Sequence, residues 1–389
     1  MKTLISNATV VDGSGAERRA ADVLLDGSVI AEVADAGSLT AAGADRVIDA
    51  HGLVLSPGFI DMHAHSDLQL LVNRDHYAKL SQGVTTELLG QDGLSYAPVD
   101  DATLAGVREK IAGWNGNPAD FDWNWRSVGE YLDRLDAEDS GGRIATNAAY
   151  LVPQGTVRAM VMGFDEGDPT PEQQQRMQDV VRAAMEEGAV GMSSGLTYTP
   201  GMYATTEELA GLCRVVGELG GFYAPHHRSY GKNALGAYAE MIELSRHSGC
   251  ALHLSHATMN FAENKCRAGQ LLDLIDSALD DGADITLDTY PYLPGATTLS
   301  AILPRVGIRG RNRSNPGTPV RPRHEGTHPR NRGDLWLGRL PRGCGRMGHL
   351  GNQRRPKPCA RRLRGPDHQG HRRGNRRGRV RCVRPHPHR

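Results

Sequence analysis

The fold of this chain is decided by the stretch PGFIDMHAHSD, residues 57–67. Its first half predicts a short buried strand over residues 59–62, and two histidines one residue apart follow directly. Side chains at i and i+2 of an extended chain lie on the same face, so His63 and His65 are expected to point the same way. Imidazole nitrogens are common metal ligands, and the pair is therefore a candidate for part of a metal site.

The rest of the body alternates strands and helices. Seven strands are predicted, over residues 59–62, 84–89, 145–151, 189–192, 222–224, 251–254 and 284–287. Helical spacing predicts helices over residues 171–187, 205–219, 234–247 and 269–281. Alternation of this kind implies a parallel sheet. We therefore expect an α/β fold, a (β/α)₈ TIM-like barrel with one strand missing.

Three domains are predicted. Residues 1–57 contain short strand-like runs, for example at 4–5 and 9–11, separated by turn dipeptides, and are expected to form part of a small β-sandwich. Residues 58–304 are the predicted barrel with strands 1–7. Residues 305–389 are a basic tail rich in Arg, Gly and Pro.

Polar residues gather where the predicted strands end, which is the active-site face of such a barrel. The candidates in chain order are His63, His65, Asp92, Tyr198, His226, His256 and Tyr290. Four histidines and a carboxylate match the ligand set of a Zn²⁺ site that holds one or two ions.

Several motifs in the expected order resemble one family. PGFIDMHAHSD is similar to the first-strand motif of the amidohydrolase superfamily. GVTTELLGQDG (83–93), NAAYLVPQGTVRAMVMG (147–163), GAVGMSSGLTYTP (188–200) and DTYPYLPGATTLS (288–300) resemble motifs of the D-aminoacylases, which are N-acyl-D-amino-acid deacylases. The resemblance runs from the N-terminus to about residue 304.

The resemblance implies a small-molecule substrate and a role for each motif residue. Asp92, His226 and His256 would hold the tightly bound zinc, and His63 and His65 a second, weaker ion. Tyr198 is similar to a residue that contacts the substrate carboxylate, and Tyr290 lies in the seventh-strand motif and is a further substrate-binding candidate. A metal-bound hydroxide would attack the amide carbonyl, and an Asp in the eighth strand would carry the proton to the leaving amine.

The sequence departs from the family pattern in three places. Asp92 stands where the family has a thiolate ligand, and Thr258 stands where the family often has a Lys that pairs with the substrate carboxylate. We expect Arg228 to supply that charge instead. The eighth-strand Asp is missing, so no catalytic acid is identified. Asp67 is predicted either to cap a helix or to orient a ligand histidine.

The remaining histidines of the body are expected to be structural. His253 is an odd number of residues from His256, so it should face the core or support a ligand. His227 should point away from the metal because it is adjacent to His226. His51, His76 and His247 are expected to be ordinary surface or turn residues.

The sequence also bears on the cellular location of the protein and on the choice between enzyme classes. The body cysteines Cys213, Cys250 and Cys266 show no paired spacing, no signal peptide is present, and no run of about 18 apolar residues occurs, so a cytoplasmic protein without a membrane partner is expected.

The alternative enzyme is a cyclic amidohydrolase of the dihydroorotase or hydantoinase type. That type commonly uses a carboxylated Lys, and none occurs between Lys110 and Lys232. The oligomeric state is left open.

The tail differs sharply from the body in charge. Of the 45 Lys and Arg residues, 25 lie in residues 305–389, with only 3 of the 45 Asp and Glu, so the first 304 residues hold 20 basic and 42 acidic residues. A nucleic-acid-binding arm is one interpretation, but aromatic side chains for base stacking are nearly absent apart from Trp336. A polybasic tail without a partner is a second interpretation.

A shifted reading frame is the interpretation that we favour, with a tail that is out of frame and disordered. With permitted codons, residues 339–350 read one nucleotide later give GCHGVVAEWDT, a mixture typical of a folded domain. The lost segment would contain the eighth strand and the catalytic Asp. Because net stability is only about 5–15 kcal/mol, we expect the chain as written to fold poorly, bind metal weakly and turn over little substrate.

The nucleotide sequence around codon 305 tests this interpretation. We expect an open, uninterrupted acidic frame directly downstream, because a single slip would leave the rest of the gene intact. A downstream frame that is closed by stop codons would contradict the frameshift.

Overall fold

The structure is a computed structural model that describes residues 1–137, 143–292 and 294–298. The predicted tail over residues 305–389, and with it any eighth strand and its Asp, lies outside the described residues. Within the described ranges, no helix combines the length and the apolar character needed to cross a membrane.

The N-terminal residues form one sheet of five strands. These are β1 (Lys2–Val10), β2 (Arg19–Asp26), β3 (Val29–Asp35), β4 (Arg46–Asp49) and β5 (Val54–Leu55). Their order is β3-β2-β1-β4, and β5 also pairs with β1. The two runs predicted at residues 4–5 and 9–11 belong to the single strand β1, whose register shifts between Ile5 and Ala8. At this bulge Asn7 has φ 60° and donates its N–H to Asp22 Oδ1 at 2.9 Å, which bends the strand without ending it.

A second, parallel sheet contains the seven strands predicted for the barrel. These are β6 (Phe59–Asp61), β7 (Val84–Leu89), β8 (Asn147–Pro153), β9 (Gly191–Gly195), β10 (Phe222–His226), β11 (Ala251–Leu254) and β12 (Ile285–Leu287). All seven predictions are confirmed, with bounds that shift by at most about three residues. The strands lie side by side in chain order.

Ten α-helices connect or follow these strands. They are α1 (Gln69–Val72), α2 (Tyr77–Leu80), α3 (Asp101–Lys110), α4 (Ala112–Asn115), α5 (Val128–Asp136), α6 (Gln154–Met162), α7 (Pro171–Glu186), α8 (Thr206–Glu218), α9 (Ala234–Ser248) and α10 (Ala268–Asp280) in the described part of the chain. The four predicted helices are confirmed as α7 to α10. Helix α7 begins with a capping box between Thr170 and Gln173 and has Pro171 at its first position.

The parallel sheet curls into an incomplete barrel. His63 follows the first strand and Asp288 follows the seventh, yet His63 Nδ1 lies 3.8 Å from Asp288 Oδ2. In a flat sheet, six strand spacings of about 4.8 Å would separate these edges by about 29 Å. Among the described residues, β6 and β12 each pair on one side only. The α/β barrel fold expected from the sequence is therefore confirmed, and the barrel is incomplete within the described residues.

A buried carboxylate in β7 anchors the loop after β6. Glu87 is fully buried and accepts hydrogen bonds from Ser66 Oγ at 2.7 Å and Thr146 Oγ1 at 3.2 Å, and its Oε1 lies 2.8 Å from His76 Nδ1. Lys79 Nζ is 3.7 Å from its other oxygen. His76 was expected on the surface, and this expectation is wrong: the ring is buried because it is a partner of Glu87.

Replacing Glu87 by Ala is expected to lower the free energy of unfolding by about 3 kcal/mol, because the buried His76 ring and the hydroxyls of Ser66 and Thr146 lose their hydrogen-bond partner. Urea unfolding of the purified chain measures the change. Glu32→Ala, at an exposed position of β3, is the control and should change stability by less than about 0.5 kcal/mol. Equal effects of the two substitutions would show that the Glu87 network contributes nothing.

Candidate metal centre

The five predicted ligands come from four different strands and converge at one end of the sheet. His63 and His65 lie in the loop after β6, which ends one residue earlier than expected. Asp92 lies in a 3₁₀ turn after β7, His226 is the last residue of β10, and His256 follows β11. Their meeting point is the carboxyl edge of the sheet, where sequence reasoning had placed the site.

Asp92 is the common neighbour of all four imidazoles. Its Oδ1 lies 3.6 Å from His63 Nε2, 3.7 Å from His226 Nδ1 and 3.4 Å from His256 Nε2. Its Oδ2 lies 3.3 Å from His65 Nε2. The side chain is buried, so one carboxylate joins the two halves of the predicted site.

The spacing of these atoms fits a metal ion. Asp92 Oδ1 is buried and accepts no hydrogen bond from any residue that the structure describes. Zinc bonds of about 2.0–2.1 Å place tetrahedral ligand atoms about 3.3 Å apart, and His226 Nδ1 lies 3.2 Å from His256 Nε2. Ligand atoms of His63, Asp92 and His256 lie within 4.8 Å of one another. The donor set is therefore suited to a divalent cation such as Zn²⁺.

The electrostatics of the cluster favour an ionised carboxylate. Burial opposes ionisation of Asp92, but the imidazoles of His63 and His226 hold its pKa well below its usual range. Burial alone would lower the pKa values of His65 and His256, yet the nearby Asp92 carboxylate raises both above their usual value. The pKa of His226 is lowered, chiefly by burial. The cluster therefore has a negative centre that attracts either protons or a cation.

The turn that carries Asp92 requires a left-handed backbone. Gly90, Asp92 and Gly93 have φ values of 75°, 56° and 71°. A Cβ at Gly90 would lie 2.1 Å from the Leu151 carbonyl oxygen, and one at Gly93 would lie 2.4 Å from the Gly195 nitrogen. Both positions therefore exclude a side chain. Asp is among the few residues with a side chain that tolerate this conformation, so its presence at 92 agrees with the local backbone.

Asp67 supports the turn that carries Asp92. It is buried, and its Oδ1 accepts hydrogen bonds from the Gly90 N–H at 2.9 Å and from Ser95 Oγ at 2.5 Å. Its carbonyl accepts a hydrogen bond from Tyr131 Oη at 2.7 Å. Neither bond of the carboxylate goes to a ligand histidine, so Asp67 positions the loop that carries Asp92.

Polar neighbours fix the orientation of two ligand rings. Thr197 Oγ1 lies 2.8 Å from His226 Nε2, and Tyr230 Oη lies 3.0 Å from His256 Nδ1. If these outer nitrogens carry the protons, His226 Nδ1 and His256 Nε2 present lone pairs toward Asp92. Such partners orient ligand histidines in many metal sites.

Asp288 directly follows β12 and contacts both His253 and the ligand candidate His256. Its Oδ1 accepts the His256 N–H at 2.5 Å, and its Oδ2 lies 2.9 Å from His253 Nε2. The prediction that His253 supports the site is confirmed.

His227 is fully buried and packs on Tyr230 and Tyr238, each with ring centroids 4.1 Å away. Burial lowers the pKa of His227 to about 2, so this ring is neutral and structural.

The predicted substrate residues have different surroundings. Tyr198 packs on His226 with ring centroids 4.8 Å apart. Tyr290 lines a cavity of about 610 Å³ together with His63 and Asp288. Arg228 is already paired: its Nε donates to Glu240 at 2.8 and 3.1 Å, and its Nη2 donates to the Ala204 carbonyl.

The expectation that Arg228 pairs with a substrate carboxylate stays a prediction. Its guanidinium is paired with Glu240 on α9, so a substrate carboxylate would share this charge with Glu240. Thr258 is uncharged, and its hydroxyl is buried without a recorded partner in the described part of the chain. Proximity in sequence to His226 could not reveal this pairing, because Glu240 follows on the next helix.

Sequence reasoning missed three residues of the site: Trp114, Thr197 and Tyr230. Asp288 follows a predicted strand and is found by the same criterion as Asp92, but the sequence assigned it no role. Tyr230 follows His226 by four residues in a loop without regular spacing. Trp114 comes from the long segment between β7 and β8, for which the sequence contains no pattern that points to the site.

Comparison with known proteins agrees with this geometry. A model of the amidohydrolase family matches residues 46–315. D-aminoacylase from Alcaligenes xylosoxydans xylosoxydans is 36% identical over 308 residues, which cover 79% of this chain and 60% of the relative. The resemblance predicted from the motifs is thereby confirmed.

Solved structures give the same result. A D-aminoacylase with a binuclear metal centre superposes with a TM-score of 0.66 at 36% identity, over 75% of this chain and 58% of the other. N-acyl-D-glutamate deacylase from Bordetella bronchiseptica, complexed with zinc and a phosphonate inhibitor, superposes with a TM-score of 0.64 at 35% identity, over 75% and 58% of the two chains. This chain spans about three fifths of the length of the curated relatives it matches.

Replacing Asp92 by Asn is expected to weaken Zn²⁺ binding at least about 100-fold, because the charge shared by four imidazoles is lost. Competition with a chelating dye measures the affinity. Asp35→Asn, at a highly exposed carboxylate, is the control and should bind Zn²⁺ like the wild type. Unchanged affinity in Asp92→Asn would exclude Asp92 as a ligand.

The Zn²⁺ affinity measured in this way should depend on pH in a predictable direction. Zinc binds neutral imidazole, and the raised pKa values of His65 and His256 mean that protons compete below those values. The affinity of the wild type should therefore fall as the pH falls through this range and level off above it.

Proposed function

This chain belongs to the amidohydrolase family, and from that premise we propose that it is a metal-dependent hydrolase of a linear amide, an N-acyl-D-amino acid or a related peptide-like molecule. The observation that carries the proposal is the buried Asp92 Oδ1 that faces three imidazole nitrogens at 3.4–3.7 Å. The names of the relatives, D-aminoacylase and N-acyl-D-glutamate deacylase, support the reaction type.

We assign one zinc position to Asp92, His226 and His256 and a second to His63 and His65. When bound, the metal would lower the pKa of a water molecule and polarise the amide carbonyl. Thr197 and Tyr230 hold the outer nitrogens of His226 and His256, which keeps the inner nitrogens directed at the cluster. Asp92 supplies the negative charge that makes this group of imidazoles attractive to a cation.

Tyr198 and Tyr290 are assigned to the substrate. Burial and the charge of Asp92 raise the pKa of Tyr198 well above its usual value, so its hydroxyl stays protonated and is able to donate a hydrogen bond. Its present neighbour is Thr297 Oγ1 at 3.0 Å. The proton for the leaving amine is assigned, by family resemblance, to an Asp of the eighth strand, which lies outside the described residues.

The cyclic-amide alternative has less support. That type commonly uses a carboxylated lysine, whereas the group of ligand atoms in the described part of this chain consists of histidine and aspartate. We also propose a cytoplasmic location, since the three cysteines in the described ranges are all unpaired thiols. Nucleic-acid binding by residues 305–389 is not part of the proposed function.

A version of the chain with its reading frame restored after codon 304 and loaded with zinc is expected to hydrolyse N-acetyl-D-amino acids. Removal of the metal with a chelator should abolish the reaction. The 389-residue chain should show little or no turnover, because a shifted frame would remove the eighth-strand Asp. Amine release from D and L substrates, together with metal analysis, measures these outcomes.

One result would contradict the frameshift, and another would contradict the proposed reaction. Normal deacylase turnover by the 389-residue chain would refute the frameshift. Hydrolysis of hydantoin or dihydroorotate by the restored protein, without hydrolysis of linear N-acyl amides, would favour the cyclic-amide alternative.

A further inference from the structure

An aromatic side chain from an unexpected part of the chain contacts the metal cluster. The Trp114 ring lies 5.0 Å from the His65 ring, at an interplanar angle of 37°. It also lies 5.1 Å from the Tyr198 ring, at 79°. Both neighbours belong to the proposed site, so Trp114 borders the space beside the cluster. The ring is only partly buried, which leaves part of its surface open to a ligand.

The segment that carries Trp114 is built to hold it in place. It connects β7 to β8 on the side of the sheet where the ligands lie, and it is far longer than an ordinary strand-to-helix loop. Helix α3 is capped by Asp100, whose side chain accepts a hydrogen bond from the Thr103 N–H. Further along the segment, Trp123 packs against Phe121 and Trp125 with centroids 5.0 and 5.5 Å away. A packed aromatic core of this kind is typical of a fixed wall.

The uncharged surface around Trp114 indicates which half of the substrate this segment contacts. Trp114 has no charge, and its recorded ring neighbours are His65 and Tyr198. The nearest cation along the chain, Lys110, donates to Thr199 Oγ1 at 3.0 Å and lies over the Phe164 ring. The carboxylate-bearing amine half of an N-acyl amino acid would be poorly solvated against an indole face. The neutral acyl half is suited to it, because flat apolar groups gain both buried area and ring contact there.

We propose that Trp114 lines the acyl-group subsite and selects flat, apolar acyl groups over short ones. This inference rests on the proposed function, because it takes the scissile carbonyl to bind at the Asp92 cluster. Trp114 is then a specificity-determining residue that contacts the substrate without taking part in the chemical step.

Two hydroxamates test the subsite. Benzohydroxamate and acetohydroxamate have the same metal-binding group and differ only in a phenyl or a methyl substituent on the carbonyl. Their dissociation constants are measured by calorimetry on the zinc-loaded protein with its reading frame restored. The wild type should prefer benzohydroxamate by about 10-fold or more, since aromatic contact and burial together contribute about a factor of ten.

Three variants locate the effect. Trp114→Ala should reduce the preference at least about 5-fold, and Trp114→Phe, which keeps a flat ring, should retain most of it. Tyr77→Ala is the control, because Tyr77 is an aromatic residue that is 73% exposed and lies outside the aromatic segment that carries Trp114; its preference should equal that of the wild type. Zinc content is measured for each variant and should be unchanged.

The outcomes separate this inference from the proposed function. Binding of both probes without a preference, or an equal preference in the wild type and Trp114→Ala, would overturn the acyl subsite and leave the metal site intact. Binding of neither probe by the zinc-loaded chain would overturn the metal site itself, and with it the subsite.

Discussion

The structure depends on one buried carboxylate that is shared by four imidazoles. An isolated buried charge is costly, and it is tolerated only where partners surround it. Asp92 meets this condition because His63, His65, His226 and His256 lie 3.3–3.7 Å from its two oxygens. These residues follow β6, β7, β10 and β11. The electrostatics of one side chain therefore constrain four strands of the barrel to end at a common point.

Two further carboxylates hold the ligand-bearing loops after β6 and β7 in position. Ser66 and Asp67 directly follow the histidine pair. Ser66 donates to Glu87 inside β7, and Asp67 accepts from Gly90 and Ser95 on either side of Asp92. The loop after β6 is thus tied both to the neighbouring strand and to the turn beyond it. This linkage explains why the PGFIDMHAHSD stretch affects the fold as well as the chemistry: its last two residues fasten the two ligand-bearing loops together.

The part of the site that follows strand ends could be predicted, and the part that depends on partners could not. Alternation of strands and helices places the ends of parallel strands at one edge, so His226 and His256 were identified without coordinates. The surroundings of Arg228 could not be predicted, because its ion pair with Glu240 joins a loop to the following helix. His76 was misjudged for a related reason, since its partner Glu87 lies on an adjacent strand and draws it into the interior.

The sequence by itself determined the architecture, the family and the set of metal-ligand candidates, because periodicity and local motifs act over a few residues. Tertiary structure alone decided that Asp92 is the shared centre of the cluster, that Asp67 supports a loop, and that Trp114 stands beside His65. These facts depend on distances between segments far apart in the chain. Side-chain contacts of this kind arise from how the barrel curls, and no spacing along the chain encodes them.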